Sequence, residues 1–238
     1  MNNRRTKNIY KIIISQLGVG LIMFVLGLVI VVYAQGYRIN PKNLKIIKTG
    51  ILFVSSNQKV ADVYVNGKVV SQKMPYATNL LPGTYSVLIK KDGYASWSAM
   101  SDVKQELVTS YKTIVLFKES IVSQELTDEK KIALLSVPTD ILAVNAEKAL
   151  VYNEHEIWTN DTLVTRFSKP ITKAMWYPDL DHIIYQQGQE IRVIEKNGVN
   201  DTLLVRLAND QPTVFTIGNH GEELYYLDNG VYRFATIR

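Results

Sequence analysis

Ile12-Ile-Ile-Ser-Gln-Leu-Gly-Val-Gly-Leu-Ile-Met-Phe-Val-Leu-Gly-Leu-Val-Ile-Val-Val-Tyr-Ala34 is a run of 23 residues without a charged side chain. As a helix it would be about 34 Å long, enough to cross a hydrocarbon core of about 30 Å. Arg4, Arg5, Lys7 and Lys11 precede it, and Tyr10, Tyr33 and Tyr37 sit at its edges, where amphipathic rings favour the headgroup layer. The run predicts a transmembrane helix over residues 12–34 behind a basic tail, residues 1–11. Val32-Tyr33-Ala34 also reads as a small-residue cleavage site. A signal peptide's apolar core spans only about 7–15 residues, so a retained anchor is expected and cleavage is the alternative.

Arg38, Lys42, Lys45 and Lys48 follow the run, so basic residues flank it four against four and charge does not set its direction. A short basic tail is easily retained, so the expectation is a cytoplasmic N-terminus and an extracytoplasmic C-terminal part; the reverse is the alternative. The net charge of +5 belongs to these flanks. From Gly50 onward there are 19 basic and 22 acidic side chains, a net of −3. That leaves no positive surplus for nucleic acid, and the flanking charge suits anionic lipid headgroups. There are no cysteines, which excludes disulfides, thiolate metal sites and cysteine nucleophiles.

Beyond a juxtamembrane linker, residues 35–47, the chain reads as short strands and turns. Gly50-Ile-Leu-Phe-Val-Ser-Ser is strand-like, and Ala61-Asp-Val-Tyr-Val-Asn-Gly-Lys alternates around Asn66-Gly67, the strongest short hairpin signal. Leu81-Pro82-Gly83-Thr84 is a second turn, Tyr85-Ser-Val-Leu-Ile-Lys alternates again, and residues 107–117 offer a closing strand. The pattern predicts a small antiparallel sandwich over residues 48–117.

These pieces, with Met74-Pro75 and Lys90-Lys91-Asp92-Gly93-Tyr94, resemble the PEGA domain, a β-sandwich module of bacterial and archaeal envelope proteins. The family's naming tetrapeptide is absent: Asn57-Gln-Lys-Val-Ala61 stands there and only the alanine fits. Tyr33-Ala-Gln-Gly-Tyr-Arg-Ile-Asn resembles the juxtamembrane segment of anchored members. The resemblance implies a non-catalytic module that contacts cell-surface polymer or partner proteins.

Residues 118–238 hold a weak internal repeat of about 30–40 residues, a period typical of propeller blades or stacked sheets. One copy holds Ile141-Leu-Ala-Val, Ala149-Leu-Val-Tyr, Glu156-Ile-Trp and Leu163-Val-Thr-Arg-Phe. The next holds Ile171-Thr-Lys-Ala-Met-Trp, His182-Ile-Ile-Tyr, Glu190-Ile-Arg-Val-Ile and Thr202-Leu-Leu-Val-Arg-Leu. The third holds Thr213-Val-Phe-Thr-Ile, Glu223-Leu-Tyr-Tyr-Leu and Gly230-Val-Tyr-Arg-Phe. A closed propeller needs about four blades, so a partial propeller-like array with a covered open end is expected. The cover would be residues 121–135, the first β region or a second copy, which makes a homo-oligomer an expectation. Residues 121–135 read as strands for the last sheet or as a linker with one short helix.

The chemistry-bearing residues are sparse. His155, His182 and His220 lack partners at metal-ligand spacing and read as turn or surface residues. Asp179-Leu-Asp181 lacks the spaced acids and glycine of a calcium loop. Asn160-Asp-Thr and Asn200-Asp-Thr match the glycosylation pattern, though turn chemistry explains both. No hydrolase, phosphate-loop or zinc-helix motif is present. Neither a cofactor nor a metal is implied. Aromatic rings are the better lead. Trp158 and Trp176 are expected in the core, while Tyr94 and Trp97, in a loop-like stretch, are the candidate ligand-contact residues. The fold expected is mostly β, with one N-terminal transmembrane helix. The function expected is non-enzymatic: a single-pass protein whose ectodomain contacts cell-wall polysaccharide or an envelope protein. The alternative is a hydrolase or lyase acting on polysaccharide through dispersed acids.

Overall fold

The computed structural model describes residues 2–41, 44–136 and 149–238. α1 (Asn2–Ala34) covers the apolar run. The expected juxtamembrane linker instead holds a two-stranded hairpin, β1 (Tyr37–Ile39) and β2 (Ile46–Lys48), in the register Tyr37↔Lys48 and Ile39↔Ile46. The short Tyr-Arg-Ile and Ile-Ile-Lys segments are too brief for a periodicity test, which is why they read as linker.

The chain divides into two compact units, and the division runs through the region expected as one sandwich. One unit takes Met1–Ser55, Pro75–Ser86 and Met100–Lys112; the other takes Ser56–Met74, Val87–Ala99 and Thr113–Arg238. The strands of that region are β3 (Gly50–Ser56), β4 (Val60–Val65), β5 (Lys68–Lys73), β6 (Tyr76–Leu80), β7 (Gly83–Lys91), β8 (Tyr94–Val103) and β9 (Val108–Ile114). They form two sheets, β6-β3-β9 and β5-β4-β7-β8.

In the first sheet, β6 pairs antiparallel with β3 from Gly50↔Leu80 to Val54↔Tyr76. β9 departs from the antiparallel expectation. Ile51 N–H donates to the Leu107 carbonyl and Asn57 N–H to that of Ile114, so the two strands run the same way. Side chains along β3 alternate as period two requires, with Leu52 and Val54 fully buried and Ile51 exposed. Gly50 has no room for a side chain, since a Cβ there would lie 2.2 Å from the Lys104 carbonyl oxygen. In the second sheet, Asn66 and Gly67 both have positive φ, as the Asn-Gly signal predicts, and join β4 to β5.

The repeat copies correspond to three antiparallel sheets. The strands are β10 (Ser123–Glu125), β11 (Leu150–Tyr152), β12 (Glu156–Thr159), β13 (Thr162–Arg166), β14 (Ile171–Trp176), β15 (His182–Gln187), β16 (Glu190–Glu195), β17 (Thr202–Arg206), β18 (Phe215–Gly218), β19 (Glu223–Asp228) and β20 (Val231–Thr236). The sheets are β11-β12-β13, β14-β15-β16-β17 and β10-β20-β19-β18. Ile141-Leu-Ala-Val, the expected first strand of the first copy, lies outside the described residues. Among the described residues the sheets do not close into a propeller. Residues 121–135 meet both expectations at once: β10 joins β20, and Glu129–Leu134 form the short helix α2, capped by Asp128 accepting from the Lys130 N–H.

Apolar faces explain the order of the sheets. Ile157 and Val164 of the first pack with Ile171, Ala174, Trp176, Ile183 and Tyr185 of the second. The opposite face of the second, including Met175, Tyr177, Ile184 and Val193, packs with Phe215, Leu224, Tyr226 and Ala235 of the third. The far face of the third sheet carries Tyr225 and Phe234, which pack with Ile132 and Leu135 from α2 and its C-terminus. Two central interfaces and one helical cap therefore follow from strands whose alternate residues are apolar on both sides.

Candidate binding surface

Trp97 is not at the surface. It is 4% exposed, and its indole Nε1 donates to Glu195 Oε1. Asn200 Nδ2 donates to the same carboxylate oxygen at 3.0 Å, while its Oδ1 accepts from the Ser98 N–H at 3.1 Å. The Ser/Ala-rich stretch around Trp97 is β8 rather than a loop, and strand alternation turns the indole inward. Tyr94 is half-buried at the start of β8, and Lys91 Nζ lies 4.7 Å from its ring centroid. The two rings chosen for ligand contact are thus a buried anchor and a cation-covered ring.

The exposed aromatic face lies on the β11-β12-β13 sheet. Val151, Trp158 and Leu163 are cross-strand partners and so share one face, opposite to Ile157. Val151 is 61% exposed and Leu163 39%; Trp158, expected in the core, is half-buried between them. Trp158 Nε1 donates to Glu156 Oε2 at 3.0 Å, and Arg166 Nε donates to Glu156 Oε1 at 2.7 Å. The hydrogen bond from Trp158, then that from Arg166, holds the Glu156 carboxyl below its usual range. The result is a fixed indole plane with apolar neighbours and a carboxylate–guanidinium pair at one side. Such a surface can stack on a sugar face or receive an apolar protein side chain. Sequence periodicity missed it because β12 is short and its buried Ile157 and half-buried Trp158 are adjacent.

The other polar residues singled out in the sequence pair locally, sit in turns or face solvent. Asp179 Oδ1 accepts the N–H groups of Asp181 and His182, and its Oδ2 lies 2.7 Å from His182 Nδ1. His182 is buried, contrary to its surface reading, and its ring meets Phe117 edge-on at 5.5 Å. His155 and His220 are exposed. Partial burial of Asp181 raises its pKa, but the hydrogen bond and charge of Lys196, the hydrogen bond from Thr113 and the nearby His182 together outweigh this and lower it. Asn160 and Asn200 occupy positive-φ turn positions. Among the described residues no group of three His, Asp or Glu side chains is placed to hold a metal ion. A hollow of about 180 Å³ beside Pro212, Thr213, Asp228 and Asn229 is bordered by Asp228, whose Oδ1 accepts from the Ala208 N–H.

Residues 49–116 match the PEGA domain. No curated protein matches the sequence. A crystal structure of a provisionally membrane-associated protein of unknown function from Bacteroides fragilis NCTC 9343 is similar at 10% identity. The similarity covers 79% of this chain and 95% of that one with a TM-score of 0.26, too low to define a shared fold. The PEGA match spans the whole of β3–β9 and agrees with the turns and strands that suggested it.

Proposed function

We propose that this is a non-enzymatic, single-pass membrane protein of the cell envelope. α1 holds it in the bilayer, with the N-terminus in the cytoplasm and the β region outside. The β region binds envelope polymer, or a neighbouring protein, through the Trp158 face. Tethering is the mechanism: confinement to a thin layer raises the effective concentration of a weak binder.

One observation carries this reading. The segment Ser15–Ala34 is long and apolar enough to cross a membrane, and none of it is buried in the protein. Leu17, Leu21, Phe24 and Ile30 are all more than half exposed. An apolar surface of this size in water is an aggregation site; in lipid it is at home. The PEGA match supports an extracytoplasmic β module, and the fixed indole supports binding. The test uses detergent-solubilised full chain and purified cell-wall polysaccharide. Wild type should be retained on the polymer and Trp158→Ala should lose retention by about tenfold or more, the loss expected when a central aromatic anchor is removed. Equal retention of both, or of neither, contradicts this use of the face.

A further inference from the structure

The β1–β2 hairpin leaves the last turn of α1 after two residues and is fastened to it. Arg38 Nη1 donates to the Tyr33 carbonyl at 2.7 Å and to that of Tyr37 at 2.8 Å, and its guanidinium carbon lies 3.4 Å from the Tyr33 ring centroid. The Tyr33 carbonyl at the helix end also accepts from the Gly36 N–H at 3.1 Å, and Arg38 adds a side-chain donor to the same cap. From the other strand, the Thr49 N–H and hydroxyl both donate to the Gly36 carbonyl, at 2.9 and 3.0 Å. The root of the hairpin is therefore held at the helix terminus from both sides.

Its side chains do not suit water. Ile39 is 64% exposed, Ile46 65% and Leu44 77%. Ile39 and Ile46 are direct cross-strand partners, so they form one apolar patch rather than two scattered residues. Leu44 has φ +55, a left-handed position where glycine or asparagine is the ordinary occupant. Neither strain nor solvation favours leucine there, so its side chain needs a partner. Three-residue strands extend about 10 Å, and the headgroup layer is roughly 5–8 Å deep on each side of the hydrocarbon core. A hairpin rooted where the apolar helix ends stays within reach of that layer. The charge fits as well. No acid precedes Asp62 in the chain, and Arg38 and Lys45 lie on the hairpin itself, while Lys48 pairs with Glu106. Apolar side chains beside basic ones, contiguous with an apolar helix, make an interfacial anchor.

We propose that the β1–β2 hairpin inserts Ile39, Leu44 and Ile46 into the interface of the anionic leaflet next to the C-terminal end of α1. The hairpin is a second membrane contact that restricts how the following strands leave the bilayer. This rests on α1 being a retained anchor.

The absence of cysteine makes the test direct. An environment-sensitive fluorophore is attached to Leu44→Cys, Ile46→Cys or the equally exposed Val122→Cys. Each full-length chain is reconstituted in vesicles of phosphatidylcholine and phosphatidylglycerol and washed with carbonate. Probes at 44 and 46 should emit at shorter wavelength and be quenched several-fold more by spin-labelled lipid than the probe at 122. Chain retained in the vesicles with positions 44 and 46 as open to aqueous iodide as 122 overturns the proposal and leaves the anchor standing. Chain released by carbonate overturns both. Protection in native membranes but not in these vesicles assigns the patch to a protein partner and overturns the lipid assignment.

Discussion

Trp97 and Trp158 sit in different environments, and substitution at each has a different consequence. Trp97 is buried and its indole N–H is spent on Glu195, so Trp97→Ala should cost about 3–5 kcal/mol of stability. Trp158 is only half-buried on an outer face, and Trp158→Ala should cost less than half of that while removing the proposed contact plane. Urea unfolding of the full chain in detergent compares the two. Neither role was legible from residue type. A Ser/Ala-rich neighbourhood resembles a loop whether or not it pairs as β8, and the side chain's direction depends on that pairing. Tyr177 shows a different kind of residue-level dependence. Its hydroxyl donates to the Gly221 carbonyl at 2.7 Å, and burial pushes its pKa up to about 12. The native state then holds a proton that the unfolded chain releases near pH 10. The associated stability is complete below pH 10 and falls, by on the order of 2 kcal/mol, as pH rises to about 12. Alkaline titration of tyrosinate absorbance alongside the unfolding midpoint checks this. An unchanged midpoint across that window would count against a buried, protonated phenol.

Among the elements, hairpins were the most readable. Asn66-Gly67 needs positive φ at both residues and has it, and each repeat copy became one sheet because alternate apolar residues admit little else. Pairings between segments distant in sequence were not readable. β9 lies parallel to β3, and β10 adds to β20 more than a hundred residues later, choices made by tertiary packing rather than by local pattern. α2 illustrates how such an element contributes. Ile132 and Leu135 cover Tyr225 and Phe234, and Lys131 Nζ pairs with Glu223 at 2.8 Å. Leu135→Ala should destabilise the third sheet by about 2–3 kcal/mol and raise binding of a hydrophobic dye. Lys131→Ala, whose ion pair is solvated, should cost much less than Leu135→Ala. Equal effects of the two would mean that α2 is held by charge rather than by its apolar residues.

For the molecule as a whole, the apolar helix and its basic flanks suit the membrane arrangement proposed above. Basic residues flank an uncovered apolar helix, and the sequence from Gly50 onward carries a net charge of −3 and is β-rich among the described residues. The long apolar helix was legible at once because it needs only length and composition. The exposed Trp158 face was not, because it depends on which side of a three-stranded sheet remains unstacked. Membrane retention with the β region outside is the central claim. It is tested by labelling Met100→Cys, an exposed position on β8, in intact cells with a membrane-impermeant maleimide, followed by carbonate extraction of the membranes. Labelling before lysis is expected, on a full-length chain that stays in the membrane pellet. Labelling only after lysis, or a chain lacking residues 1–34 released into the soluble fraction, would contradict it.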